Sequence, residues 1–139
     1  MPVGFLVLLA APQVPTSDAW HAAVQEQHAP LQFPHALDFL HDSGFVPVNM
    51  GGHKAGFYFF KEDYSRVVEQ YPALSKVNLQ RTVAFSLEFG HGFECASAAY
   101  SAAVLVARFH AVAFDPQGAS FMSQRQLEDA AKICEQLGN

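Results

Sequence analysis

Charged side chains are scarce in this sequence, and positively charged ones are the scarcest. Asp, Glu, Lys and Arg make up only 15% of its 139 residues, and eight Lys and Arg against thirteen Asp and Glu give a formal net charge of −5. The cations are scattered, with Lys54, Lys61 and Arg66 as their densest group. Proteins that bind nucleic acid independently of sequence neutralise many phosphates with Lys and Arg. We therefore expect no nucleic-acid partner.

Long apolar runs are also missing. The two longest stretches cover residues 5–11 and 98–107, whereas a membrane-spanning helix needs about 20 apolar residues. The first stretch resembles the hydrophobic part of a signal peptide, but no Lys or Arg precedes it. A buried strand is therefore the better interpretation. We expect a cytoplasmic protein that does not bind a membrane.

Cysteine is rare too, since Cys95 and Cys134 are the only two. Both lie on apolar faces of predicted helices, and a disulfide framework would need more cysteines and an oxidising compartment. Half of the residues are apolar and thirteen are Phe. This is enough for a single domain over residues 1–139 to bury a core without a metal ion or a disulfide. No motif indicates a cofactor.

Hydrophobic periodicity predicts five strands and four main helices. Residues 4–11 are continuously apolar, as is typical of a central strand covered on both faces. Apolar and polar side chains alternate in residues 82–89, which predicts one face on the core and one face that is polar, wet or in contact with a partner. The other predicted strands cover residues 45–50, 57–61 and 111–114. The predicted helices cover residues 18–28, 64–70, 93–108 and 124–137, and residues 34–42 form a short helix or a turn.

The resulting order, β-α-β-β-α-β-α-β-α, predicts an α+β fold. Its first six elements match a ferredoxin-like split βαβ unit. The strand, helix and strand within residues 82–114 should form a right-handed crossover with the two strands parallel. We therefore expect a mixed sheet with a ferredoxin-like core, extended by this crossover and covered by helices mainly on one face.

Two segments stand out by their residue order. One is residues 41–48 (HDSGFVPV), followed by Ala55, Gly56 and Phe57, and the other is the Ala-rich helix leading into residues 113–118 (AFDPQG). Together they resemble a family of small bacterial α+β proteins of unknown function, over roughly half of the chain. The resemblance implies a bacterial, cytoplasmic origin and assigns neither an activity nor a functional residue.

The segment that leads into the Ala-rich helix carries the strongest candidates for chemistry. His91, Glu94 and Cys95 lie at the predicted helix N-terminus, directly after the strand that bears Glu88. A helix dipole lowers the pKa of a nearby thiol and disfavours a protonated His. Cys95 is therefore a candidate reactive thiol and His91 a candidate general base. In the simpler, structural interpretation Glu94 complements the dipole, Cys95 packs as a small apolar residue and His91 belongs to a loop.

The seven histidines form no recognised metal motif. His21 and His28 would lie about 10 Å apart along one helix, too far to share an ion without a bend. The glycines and Lys54 of residues 51–56 do not follow the order of a phosphate-binding loop, and this segment joins two strands rather than a strand and a helix. We therefore expect no metal site, with a metal-binding protein that uses the histidines as the weakest of three alternatives, and we interpret residues 51–56 as a hairpin loop.

The strand after that loop is the main sequence evidence for function. Residues 57–60 (FYFF) are aromatic without alternation, so both faces of the strand require apolar cover. The neighbouring strand contains Pro47, which favours a sheet edge that another chain can complete. With no catalytic motif present, we expect a non-enzymatic protein-interaction or binding module, with a protein partner or as a homodimer. The candidate partner-binding residues are His53, Lys54, Tyr58 and Phe60.

The alternative is a small enzyme or small-ligand binder with a pocket near residues 88–95. Its candidate catalytic residues are Glu88, His91, Glu94 and Cys95. This alternative requires the four side chains to converge in a cleft, whereas an interaction module requires an exposed apolar surface on the hairpin or on the adjoining sheet.

Overall fold

The computed structural model describes residues 3–77 and 79–138, with six strands and four α-helices in these ranges. The strands are β1 (Val3–Ala10), β2 (Gly44–Met50), β3 (His53–Glu62), β4 (Thr82–Phe89), β5 (Val112–Asp115) and β6 (Ser120–Met122). The helices are α1 (Ser17–Glu26), α2 (Tyr64–Gln70), α3 (Phe93–Phe109) and α4 (Gln124–Leu137), and short 3₁₀ segments cover Ala11–Gln13 and Pro72–Lys76.

All six strands join one sheet in the order β2-β3-β4-β1-β5-β6, and every neighbouring pair is antiparallel. The prediction of a ferredoxin-like core in a mixed sheet is therefore wrong, in strand order and in strand count. A ferredoxin-like core would place the hairpin beside β1, whereas β3 pairs here with β4. β4 and β5 do run in the same direction, as predicted, but β1 lies between them and pairs with both.

The central position of β1 follows from its sequence. Side chains from Phe5 to Leu9 are all buried, because odd and even positions face two different apolar clusters on the two sides of the sheet. β3 and β4 are antiparallel neighbours, and the segment between them, α2 and Pro72–Lys76, packs on a face of the sheet. β6 was not predicted because it has three residues and lies at the margin of the sheet.

Helices α1, α3 and α4 cover one side of the sheet, which we call the helical face. Nine of the seventeen residues of α3 are buried, and seven of those nine are Ala or Ser. Small side chains let a helix approach its neighbours closely, and α3 packs against α1, α4 and the sheet. The aromatic residues that are at most 1% exposed on this face are Trp20, Phe57, Phe59 and Phe85.

Side chains cap three of the helices. Thr16 caps α1, Asp63 caps α2, and Ser123 and Gln126 form the reciprocal capping box at the start of α4. Such caps satisfy backbone N–H groups that have no partner within the helix. Residues 34–42 form turns rather than a helix.

The β2–β3 hairpin is tighter than predicted. Its strands pair without interruption as far as Met50 opposite His53, so only Gly51 and Gly52 form the loop. Both glycines have positive φ, 53° and 86°, as a type I′ turn requires, and this turn matches the twist of the strands. The predicted loop over residues 51–56 is therefore wrong beyond Gly52.

Candidate functional site

The second face of the sheet is only half covered. α2 and the Pro72–Lys76 segment pack over β4, β1 and β5, where they bury Leu6, Leu8, Ala84 and Phe114. The residues of β2 and β3 that point to the same side of the sheet do not belong to this cluster. The second face therefore has a closed half and an open half.

The open half consists of outward-facing residues of β2 and β3, and we call it the open face. Its members are Phe45, Pro47, Lys54, Tyr58 and Phe60. Phe45 and Tyr58 are 46% and 47% exposed, and their rings pack edge to face across the two strands with centroids 5.2 Å apart. Two large aromatic rings thus lie side by side at the protein surface.

Two carboxylates and a hydroxyl lie at the border between the open face and α2. Ser86 Oγ donates a hydrogen bond to Glu62 Oε2 at 2.7 Å and lies 3.5 Å from Glu88 Oε2. The strand register brings them together, because Ser86 is opposite Phe60 and Glu88 is opposite Tyr58. Within the described residues, neither carboxylate takes part in an ion pair.

These three side chains line a cavity of about 290 Å³. The rest of its lining comes from β1, from α2 and from the turn after β5, and includes Gly4, Leu6, Val67, Tyr71 and Gln117. Leu6 and Val67 contribute apolar surface and Tyr71 an aromatic ring. An apolar interior with a few convergent polar groups is the usual character of a ligand site.

Burial raises the pKa of the Glu88 carboxyl, and the negative charge of Glu62 raises it further, while the hydrogen bond from Ser86 lowers it. The Ser86 hydroxyl has a single proton to donate, so it serves one carboxylate at a time. A cation between the two carboxylates would remove the repulsion and stabilise both charges. The arrangement is therefore suited to bind a positively charged group.

The four candidate catalytic residues do not converge in one cleft. Glu88 and Glu94 line an open depression beside the aromatic residues of the open face. Glu94 also accepts a hydrogen bond from the Gly90 N–H at 2.9 Å, which stabilises the turn that leads into α3. His91 is an exposed residue of that turn. The pair that the structure brings to a common surface is thus Glu88 and Glu94.

Cys95 forms a disulfide with Cys134, with Cα atoms 5.8 Å apart. The expectation of a chain without a disulfide is therefore wrong, because the start of α3 packs beside the end of α4 and brings together residues that are 39 positions apart. A disulfide-bonded sulfur is not a thiolate, so the reactive-thiol role predicted for Cys95 does not apply in this structure.

Among the candidate partner-binding residues, His53 is separated from the others. Its ring stacks on Phe93 of α3, with centroids 4.2 Å apart, so it lies on the helical side. Lys54, Tyr58 and Phe60 share the open face because alternate residues of a strand point to the same side. The hairpin therefore presents three of its four candidate residues together.

The outer edge of β2 is protected against strand addition. Asn49 exchanges two backbone hydrogen bonds with Gln32, at 2.8 and 2.9 Å. Pro47, two positions earlier, has no N–H to donate. Residues two apart direct their backbone groups to the same side of a strand, so Pro47 and Asn49 both face the free edge of β2. Neither can offer a backbone N–H to a new strand. The open face is thus more accessible to a partner than the edge beside it.

Sequence reasoning missed Glu62 and Ser86. The alternation of residues 82–89 already placed Ser86 on the polar side with Glu88, so a signal for that pair was present. Glu62 joins them only through the pairing of β3 with β4. That pairing is a long-range contact which the predicted ferredoxin-like topology did not contain.

The described part of the chain holds no group of three or more His, Cys, Asp or Glu side chains that is placed to bind a metal ion. Nor does any described helix have both the length and the apolar character needed to cross a membrane. Comparison with known proteins finds no match to a family model, a curated protein or a solved structure. The resemblance to a bacterial α+β family therefore remains a prediction, and function must be argued from the geometry.

Proposed function

We propose that this protein is a non-enzymatic binding module that holds a protein partner against its open face. The observation that carries the proposal is the exposed ring pair of Phe45 and Tyr58. Aromatic side chains, Tyr above all, supply much of the binding energy at protein interfaces because they bury a large area at a small cost in side-chain entropy. Two rings that already pack edge to face across neighbouring strands are pre-organised for such contact.

A second copy of the chain is the alternative occupant of this surface. A two-fold dimer places the same patch of both copies face to face, so the carboxylates of Glu62 and Glu88 from both copies would lie in one interface. With a net charge of −5 on each chain, this arrangement is opposed by electrostatic repulsion. Charge therefore favours a different protein over self-association.

Selection from a displayed library of random peptides tests the proposal. Peptides enriched on the wild-type protein are expected to bind Phe45→Ser and Tyr58→Ser at least tenfold more weakly, which equals about 1.4 kcal/mol. Ile133→Ser is the matched control, because Ile133 is also an exposed apolar residue but lies on α4. Urea unfolding of each variant verifies that it is folded.

Two outcomes would contradict the proposal. One is that no peptide is enriched above an unrelated protein of similar charge. The other is that enriched peptides lose affinity for Ile133→Ser but not for Tyr58→Ser. Sedimentation velocity tests whether a second copy of the chain occupies the open face. A wild-type dimer that Tyr58→Ser converts to a monomer would show that it does.

The alternative function, a small-ligand binder or enzyme, is favoured by the cavity at Glu62, Ser86 and Glu88. A carboxyl group whose pKa is raised by burial and by a neighbouring carboxylate, as that of Glu88 is, is an arrangement used in acid–base catalysis. Thermal unfolding in the presence of a collection of small metabolites tests it. A compound that raises the melting temperature of the wild type, but not of Glu62→Gln or Glu88→Gln, would favour this alternative.

A further inference from the structure

The acidic cavity and the open face are one continuous surface. Glu88 lines the cavity under α2 and also the depression that contains Tyr58 and Phe60. Glu88 and Tyr58 are directly opposite each other on β4 and β3. A partner that covers the exposed rings must therefore also approach the carboxylates, and its chemistry must suit both.

No cation of the sheet compensates these carboxylates. Lys54, the cation of the open face, lies eight positions from Glu62 along β3, which is about 26 Å in an extended strand. It lies four positions, about 13 Å, from Tyr58, which is opposite Glu88. Both separations exceed the screening length of about 8 Å at physiological ionic strength. Lys61, next to Glu62, points to the helical side because successive residues of a strand face opposite sides. Among the described residues, the ion pairs of Asp and Glu side chains are formed elsewhere, by Asp38 with His41 and by Glu26 with Arg108. The negative charge at the cavity is thus open to an external cation.

The cavity also has room for a hydrocarbon chain. Its floor contains Gly4, which has no side chain, and Leu6, while Val67 and Tyr71 form the wall on the α2 side. A Cβ atom at position 4 would lie 2.5 Å from the Leu87 carbonyl oxygen, so the close pairing of β1 and β4 requires glycine there. The result is an apolar floor that ends at two carboxylates.

We infer that this cavity receives a Lys or Arg side chain of the protein partner, so that the partner binds through a basic segment. The inference rests on the proposed function and names its partner chemistry. The methylene groups of the bound side chain pack on Leu6 and Val67, and its ammonium or guanidinium group lies between Glu62 and Glu88. Apolar side chains next to it in the partner cover Phe45 and Tyr58. Charge complementarity then selects a basic partner over a second acidic copy.

Titration of ¹⁵N-labelled protein with blocked amino acids tests the inference without knowledge of the partner. The probes are Nα-acetyl-lysine methylamide and Nα-acetyl-arginine methylamide, whose side chains stay charged. Their neutral isosteres are the corresponding norleucine and citrulline compounds. The cationic probes are expected to shift the amide signals of Leu6, Ser86 and Glu88 saturably. The neutral isosteres should bind at least tenfold more weakly than the cationic probes, because they lack the charge that the carboxylates attract.

Two variants identify the carboxylates as the cause. Glu62→Gln and Glu88→Gln should each weaken the cationic probes about tenfold, whereas Asp129→Asn, which removes the same charge from an exposed position on α4, should not. Equal binding of charged and neutral probes, or no saturable shift from any probe, would overturn the inference.

The inference and the proposed function fail in different ways. If library-selected peptides require Tyr58 yet bind Glu62→Gln and Glu88→Gln as tightly as the wild type, the open face is a binding surface and the cationic anchor is wrong. If the blocked lysine binds at the cavity while no peptide depends on Tyr58, the cavity is a cation site and the protein-binding function is wrong.

Discussion

Neighbouring aromatic residues of β3 have opposite surroundings on the two faces of the sheet. Phe57 and Phe59 are each only 1% exposed on the helical face, whereas Tyr58 between them is 47% exposed on the open face. Phe59 packs on Phe39 and Phe85, with ring centroids 5.4 and 5.2 Å apart. The comparison shows that one strand buries its aromatic side chains on one side of the sheet and exposes one on the other.

The difference follows from what covers each face. Helices α1, α3 and α4, together with Leu31, Leu37 and Phe39 of the segment between α1 and β2, cover the helical face. By contrast, α2 and its 3₁₀ extension reach only the half of the second face formed by β4, β1 and β5. If this division is correct, substitutions on the helical face should change the free energy of unfolding, and substitutions on the open face should change binding. The predictions below test it from the largest expected effect to the smallest.

The largest effect is expected for Phe59→Ala. Truncation of a fully buried Phe removes apolar contacts and leaves a cavity, so the free energy of unfolding should fall by about 3–5 kcal/mol. Tyr58→Ala, one position away, should cost no more than about 1 kcal/mol, the value of an exposed cross-strand pair. Urea unfolding measures both. Similar losses for the two variants would show that the open face also belongs to the stabilising core.

The disulfide should have the next largest effect, and it acts on the helical side. Replacement of both Cys95 and Cys134 by Ser should lower the free energy of unfolding by about 2–4 kcal/mol, because the crosslink restricts the unfolded chain. Wild-type protein unfolded in the presence of a reductant should behave like the double variant. Two free thiols in the unreduced wild-type protein, detected by mass spectrometry after alkylation, would contradict this prediction.

Gly56 contacts residues on both faces of the sheet. Its carbonyl oxygen accepts a hydrogen bond from Ser97 Oγ of the helical side at 3.1 Å. The Val46 carbonyl oxygen and the Phe45 ring together occupy the space that a Cβ atom would need. Because its φ is also positive, at 141°, Gly56→Ala should cost about 1–3 kcal/mol.

The control for that variant is Gly52→Ala. Gly52 has positive φ but open space around its Cα, so only the conformational cost of about 1 kcal/mol is expected. If Gly52→Ala lowers the free energy of unfolding as much as Gly56→Ala does, the positive φ alone, and not the lack of space at Gly56, accounts for both losses.

The smallest effect concerns Glu88. Since the folded protein raises the pKa of this carboxyl, Glu88 contributes most to stability below its unfolded pKa, and the contribution is lost as the pH rises through the folded pKa. Above about pH 4, Glu88→Gln should therefore be as stable as the wild type or slightly more stable, within about 0.5 kcal/mol.

Carbon-detected NMR titration measures the Glu88 midpoint directly. It should lie above that of an ordinary Glu, and Glu62→Gln should lower it because a like charge is removed. A bound cationic probe should lower it as well, since a cation stabilises the carboxylate. If neither Glu62→Gln nor a bound cationic probe changes the Glu88 midpoint, Glu88 does not belong to the cation-binding cavity.

Local sequence signals predicted the elements well and their arrangement poorly. The capping residues Thr16, Asp63 and Ser123 and the continuous apolar run of β1 act within a few residues, so their outcome can be predicted without the rest of the chain. The strand order depends on which strands pair with β3 and β1. These pairings are long-range contacts, and they leave no local pattern in the sequence. The site was therefore only partly predicted: Tyr58 and Glu88 were named, while Glu62, which needs the β3–β4 register, was not.

The position of a bound peptide tests the central claim most directly. Titration of ¹⁵N-labelled protein with the tightest library-selected peptide should shift the amide signals of residues 44–47, 58–62 and 86–90, which include the open face and the acidic cavity. Signals from α1 and α4 should stay unchanged. A footprint centred on α4 around Ile133, with the signals of Tyr58 and Glu88 unaffected, would contradict the account.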